Sequence, residues 1–147
     1  MEEYVWISKV THDHLFDGHS HSILLRLAEY YNVKISIAAP DSTDPRSYVK
    51  AVYDAIQRKI AGLMIVGWQD ADVIAAVDAA VKNGIPVVCV DKDLPRSKRH
   101  AYVGADWHRL GATMADNLAA LMNNQGKALV LGAFDPDNIN LGIRGFH

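Results

Sequence analysis

Four histidines crowd one short stretch of the chain: His12, His14, His19 and His21, with Asp13 and Asp17 between them. Imidazoles beside carboxylates are the ligands of zinc and copper sites, so this cluster is the first place to look for metal chemistry. The spacing argues against it. Residues two apart at the start of a helix point to different sides, so His19 and His21 do not face one ion together. No metal is therefore expected, and polar residues around a loop and first turn account for the cluster. Asp17, His19 and Ser20 hold the residue types of a nucleophilic triad, but they are sequence neighbours without an elbow motif. The segment after the first apolar run contains only Gly18, which fits neither a dinucleotide fingerprint nor a phosphate loop. No catalytic residue and no cofactor are assigned from the sequence.

A second group follows short apolar runs. Asp91 and Lys92 come directly after Val87-Val88-Cys89-Val90, and Trp68 and Gln69 come shortly after Leu63–Val66. A carboxylate accepts charge-assisted hydrogen bonds from hydroxyl groups, and a neighbouring lysine donates to them. Aromatic faces such as Phe16, Trp68 and Trp107 cover the C–H face of a sugar ring. Small-molecule sites combine a largely apolar wall with a few placed polar groups. Packing between loop and helix is the competing role for Phe16 and Trp68. Asp91 is the stronger candidate, because a charge at the end of a buried strand must find a partner or water.

The elements that must position these residues alternate strictly. Val5–Ile7 is a strand, and Ser22–Tyr31 a helix with Leu24, Leu27, Ala28 and Tyr31 on one face. Lys34–Ala38 is the second strand. Asp44-Pro45 opens a helix by cap and first-turn proline, with a stripe of Val49, Val52, Tyr53, Ile56 and Ile60. Gly62 ends it, and Leu63–Val66 is the third strand. Asp70 or Asp72 starts a helix carrying Val73, Ile74, Val77 and Val81, which Asn83-Gly84 terminates. Pro86–Val90 is the fourth strand. Strands joined by helices in this order predict an α/β fold, a three-layer parallel sheet of flavodoxin-like or Rossmann-like layout with the first strand central. Ligands of such sheets sit beyond the carboxyl ends of the strands, which selects the loops Lys9–Asp17, Pro40–Arg46, Gly67–Asp72 and Asp91–Arg96.

Beyond Pro95 the run Arg96-Ser97-Lys98-Arg99-His100 is expected to be a solvated basic loop. Ala101–Gly104 is a short strand, Trp107–Met122 a helix, and Ala128–Leu131 a last strand. The chain stops at His147, where a further helix is expected to begin.

Composition narrows the classes. The 147 residues suffice for a domain with a proper core, half of them are hydrophobic, and the net charge of -2 gives no broad electrostatic case for nucleic acid. The apolar runs are strand-sized and far short of a membrane span. No signal peptide is visible before Tyr4, as in a mature secreted chain or a cytoplasmic one. Cys89, the only cysteine, is expected to be a buried, inert thiol.

Three segments carry a family likeness. Gly84-Ile85-Pro86-Val87-Val88-Cys89-Val90-Asp91 resembles the "GIPV…D" strand of type I periplasmic sugar-binding proteins and of the effector domains of lactose-repressor-type regulators. Tyr102-Val103-Gly104-Ala105-Asp106 followed by Gly111 resembles their "VGxDN…G" crossing into a second lobe. Gly126-Lys127-Ala128-Leu129-Val130-Leu131-Gly132 and Arg144-Gly145-Phe146 resemble the first strand of that lobe and its "RxxGF" helix start. The resemblance implies residues 1–105 as a ligand-binding lobe and 106–147 as the start of a second, cut short.

The resemblance also implies a ligand set. Asp13 and Phe16 take the places of the polar and aromatic residues after the first strand, with Leu15 departing from an aromatic. Gln69 compensates for Gly67, where a polar residue is common. Asp91 matches the aspartate after the fourth strand, and Lys92 stands for a frequent arginine. Asp106 matches the crossover aspartate, with Trp107 in place of asparagine. Gly142 occupies the place of the second-lobe arginine, and Arg144 lies two residues later. The implied function is binding of a sugar or related polyol without catalysis. The implied partner is a membrane transporter or receptor outside the cytoplasm, with a possible homodimer through residues 107–147 and no nucleic acid. Two alternatives stay open: the cytoplasmic effector domain of a lactose-repressor-type regulator, and a metal-dependent enzyme built on the histidine-rich loop.

Overall fold

The computed structural model describes residues 1–8, 14–38, 44–131 and 137–147, the backbone alone over 14–21 and 137–138. The first unit, Met1–Val103, holds β1 (Glu3–Ile7), α1 (His14–Tyr31), β2 (Lys34–Ala38), α2 (Pro45–Gln57), β3 (Gly62–Ile65), α3 (Ala71–Lys82), β4 (Val87–Val90) and β5 (Ala101–Val103). The strands form one sheet in the order β2-β1-β3-β4-β5, and every adjacent pair is parallel. This is the expected α/β architecture. β1 is an interior strand, but β3 rather than β1 is the middle one.

Strand residues alternate between two cores, as the pleat requires. Val5, Ile7, Leu63, Ile65, Val87 and Cys89 face the main core, where Tyr48, Val52 and Ala55 of α2 and Val73, Ala76, Val77 and Ala80 of α3 cover them. Trp6 and Val66 face the other side and meet Leu24 of α1.

The helix ends follow local chemistry. The Asp44 carboxylate accepts from the Arg46 amide at 3.0 Å ahead of Pro45. Asp70, not Asp72, caps α3, accepting from the amides of Asp72 and Val73 at 2.8 and 3.2 Å. Asn83 and Gly84, the latter at φ 79°, end α3 as expected.

Other expectations shift. α1 begins at His14 rather than Ser22, and of its expected stripe only Leu24 is buried, while Leu27 and Tyr31 stay exposed. The buried face of α2 is rotated toward Tyr48 and Ala55, leaving Tyr53 exposed. α2 ends at Gln57 with Arg58 as its C-cap, Lys59 just beyond takes φ 54°, and Gly62 instead opens β3, where the Tyr4 ring leaves no room for a Cβ.

The second unit, Gly104–His147, contains α4 (Trp107–Leu121) and α5 (Asp137–Phe146). It divides from the first unit two residues before the expected boundary. Ala128–Leu131 is not a strand, since no strand among the described residues pairs with it. A further helix is expected to begin only at the end of the chain, whereas α5 already runs over Asp137–Phe146, with Gly142 and Gly145 inside it. Those glycines explain its packing. A Cβ on Gly111 would strike the Gly142 carbonyl, and one on Gly145 would strike that of His108, so α4 and α5 meet backbone to backbone. The helix α4 is thus partly covered by α5.

Candidate functional site

β3 and β4 are neighbours, so the loops after them leave the sheet side by side. The Gly67 amide donates to the Lys92 carbonyl at 2.8 Å. A side chain at position 67 would collide with the carbonyl oxygens of Lys92 and Asp93. The departure to glycine at 67 therefore has a steric cause: only a residue without Cβ lets the two loops close. This single junction brings Trp68-Gln69 and Asp91-Lys92 to the same stretch of the carboxyl edge.

Each of these side chains has a distinct setting. Trp68 is half-buried, with its ring edge-on to Tyr48 at 5.9 Å between centroids. Tyr48 is fully buried and donates its hydroxyl to the Val66 carbonyl at 2.6 Å, so it is a rigid support. Burial pushes the Tyr48 phenol well above its ordinary range. Gln69 is half-buried, and its buried Oε1 finds no hydrogen-bond partner among the described residues. Buried polar atoms are nearly always paired, so this acceptor calls for a partner beyond the described residues. Lys92 is 6% exposed, which is rare for lysine. Asp91 is half-buried and holds a left-handed backbone at φ 65°.

The basic run after β4 is not simply solvated. Arg99 forks onto Asp93 through Nε and through Nη2, the latter at 2.6 Å from Oδ2. The Asp93 carboxylate raises the Arg99 guanidinium pKa further. The Lys98 amide donates to Asp78 of α3 at 2.6 Å, and the Val87 amide donates to His100 Nδ1 at 3.2 Å. The segment from Asp91 to His100 is thereby fixed at several points. Beneath it Cys89 is fully buried, and desolvation together with the Asp93 charge pushes its thiol up to about 11.

Four of the sequence-derived candidates thus gather at one edge: Trp68, Gln69, Asp91 and Lys92. Asp13 lies outside the described residues, and Phe16 is placed only as a backbone position in the first turn of α1. Asp106 and Trp107 belong to the second unit. Asp106 caps α4, accepting from the Arg109 amide at 3.0 Å. Trp107 lines an apolar cavity of about 170 Å³ with Leu110, Met114, Ile139 and Phe146. Ser8, next after β1 and only 2% exposed, is a polar residue of the same carboxyl edge that sequence reasoning missed. Its signal was a hydroxyl directly following an apolar run. Among the described residues no group of histidine, cysteine or carboxylate side chains has the makings of a metal site. No helix among them is long and apolar enough to cross a membrane.

A parallel sheet with polar residues at adjoining carboxyl ends defines an α/β ligand-binding lobe. The sequence matches the model of the periplasmic binding protein domain over residues 22–147, and the chain belongs to that family. No curated protein matches the sequence significantly. Among solved structures, the chain is similar to an ABC transporter solute-binding protein from Burkholderia graminis in complex with D-arabinose, at 28% identity and TM-score 0.88, covering 99% of this chain and 50% of that one. It is likewise similar to AraP, an arabinose-binding protein from Geobacillus stearothermophilus, at 26% identity and TM-score 0.85, covering 99% and 50%. GanP, a glucose-galactose binding protein of the same organism, shares the fold at 23% identity and TM-score 0.86, covering 99% and 52%. The chain spans about half the length of these structures.

Proposed function

We propose that this chain binds a sugar at the carboxyl edge of β3 and β4, as a lobe of an extracytoplasmic solute-binding protein. The observation that supports this reading is the Gly67–Lys92 junction, beside which stand an amide acceptor without a partner among the described residues (Gln69), a carboxylate (Asp91), an ammonium (Lys92) and an indole (Trp68). The carboxylate and Gln69 Oε1 accept from sugar hydroxyls, the lysine donates to their oxygens, and the indole covers a C–H face. Asp13 and Phe16, and Asp106 and Trp107 of the second unit, are further ligand candidates. Binding, not catalysis, is the role of this set. A similar protein in complex with D-arabinose, a similar arabinose-binding protein and a similar glucose-galactose binding protein support a pentose or hexose as the ligand class.

The whole protein hands its sugar to a membrane transporter or reports it to a receptor. The second unit carries Leu121, Leu129 and Leu131 more than 80% exposed, which favours self-association through residues 107–147. Sedimentation across a concentration series tests this, and a monomer at every concentration would refute it.

Calorimetry with D-arabinose, D-glucose, D-galactose and D-allose tests the binding reading. At least one sugar should bind saturably, and Asp91→Asn should remove that binding while the fold persists. Equal affinity in the variant would sink the role of Asp91. Absence of binding by every sugar would sink the ligand class.

A further inference from the structure

Asp91 adopts φ 65°, a left-handed conformation that L side chains occupy at a cost. Three hydrogen bonds enclose it. Its amide donates to the Val103 carbonyl at 2.9 Å, and the Lys92 amide donates to the Val90 carbonyl at 2.8 Å. That second bond closes a γ-turn around a residue of positive φ, the rarer and more strained form. The third is made by a side chain: the Tyr102 hydroxyl donates to the carbonyl of Asp91 itself at 2.8 Å. Tyr102 stands on β5, paired with Cys89 of β4, and its half-buried ring packs against the main core. Its hydroxyl is therefore delivered from a rigid anchor. From the opposite side, the Gly67 amide holds the Lys92 carbonyl.

We infer that Tyr102 is a positioning residue for the Asp91–Lys92 pair. It holds the strained turn that sets the direction of both side chains, and so tunes affinity through backbone geometry. This inference rests on the sugar-binding reading of Asp91 and Lys92. A turn of this kind persists only where its surroundings over-determine it, and such turns concentrate at ligand sites. Val103 and Val90 supply carbonyls that any sequence would supply. Of these three bonds, that of the Tyr102 hydroxyl is the one a single atom's removal deletes, since phenylalanine keeps the ring and its packing.

The test is Tyr102→Phe in the 147-residue chain, uniformly labelled with nitrogen-15, beside Asp91→Asn. The amide-to-Hα coupling of Asp91 and the hydrogen-exchange rates of the Asp91 and Lys92 amides report the turn directly. Calorimetry with D-arabinose as the probe reports affinity. Tyr102→Phe should leave the melting midpoint close to the parent's, shift the Asp91 coupling, and speed exchange at Lys92. Affinity should fall about three- to tenfold, the range expected for one neutral hydrogen bond. Coupling and exchange at parental values would overturn the inference. So would a perturbed turn with undiminished D-arabinose affinity in a protein whose binding Asp91→Asn abolishes. If Asp91→Asn leaves affinity intact, the sugar reading of Asp91 fails, and the role assigned to Tyr102 in affinity falls with it. The coupling and exchange data then show separately whether Tyr102 holds the turn. Gly67→Ala presses on the same turn from the other side and should speed the same exchange. Should that variant fail to fold, Tyr102→Phe decides alone.

Discussion

The amide of Gly67 meets the carbonyl of Lys92 at 2.8 Å, and the space where a side chain at 67 would stand is filled by the carbonyls of Lys92 and Asp93. Gly67→Ala must therefore push the two loops apart. Overpacking of this kind costs about 1–3 kcal/mol. Chemical denaturation should show a lower midpoint with an unchanged slope, together with weakened sugar binding. A variant as stable as the parent would mean that the loops separate freely.

At position 91 the choice of substitution matters. Alanine in a left-handed conformation costs about 1–2 kcal/mol, whereas asparagine tolerates that region and keeps the shape of the side chain. Asp91→Ala is expected to melt lower than Asp91→Asn, and Asp91→Gly to melt higher than Asp91→Ala. Thermal unfolding of the three variants side by side checks the order. Equal midpoints for alanine and glycine would show that the turn carries no backbone strain.

Cys89 is fully buried, and its thiol pKa is pushed up to about 11 by burial first and by the Asp93 charge second. The thiolate is the reactive species, so the native protein at pH 8 should resist a water-soluble thiol reagent. The same reagent should react at once in denaturant. Rapid modification of the native chain would show that the main core opens readily beneath the Asp91–His100 segment.

Glu3 gathers the Ser36 hydroxyl at 2.6 Å, Lys34 at 3.1 Å and the Arg58 guanidinium around one carboxylate. The Ser36 hydrogen bond first, with the charges of Arg58 and Lys34, holds its pKa below the ordinary 4.5. A carboxylate with a depressed folded pKa contributes stability above its unfolded value and loses it as pH falls through the folded one. Stability should therefore decline as pH drops below about 4.5, and Glu3→Gln should flatten that decline. The site is open to water, so the effect is modest. Parallel pH profiles in parent and variant would remove Glu3 from the acid response.

The sequence by itself determined what depends on neighbours within a helical turn or a strand. The alternation of β-branched and amphipathic runs announced a parallel sheet, and Asp44-Pro45, Asp70 and Asn83-Gly84 marked helix ends that the structure keeps. Asp91 stood out because a charge directly after an apolar strand needs a reason. Tertiary structure alone decided what depends on partners far along the chain. It decided the strand order, and it denied Ala128–Leu131 the status of a strand, since a strand exists only with a partner. It turned Arg99 from a solvated charge into a fork on Asp93. It made α5 through backbone contact at Gly111 and Gly145, against the weak propensity of its glycines. The steric reason for Gly67 and the role of Tyr102 were hidden in sequence for the same reason: they lie in two hydrogen bonds to the backbone of a loop 25 and 11 residues away, which no local pattern encodes.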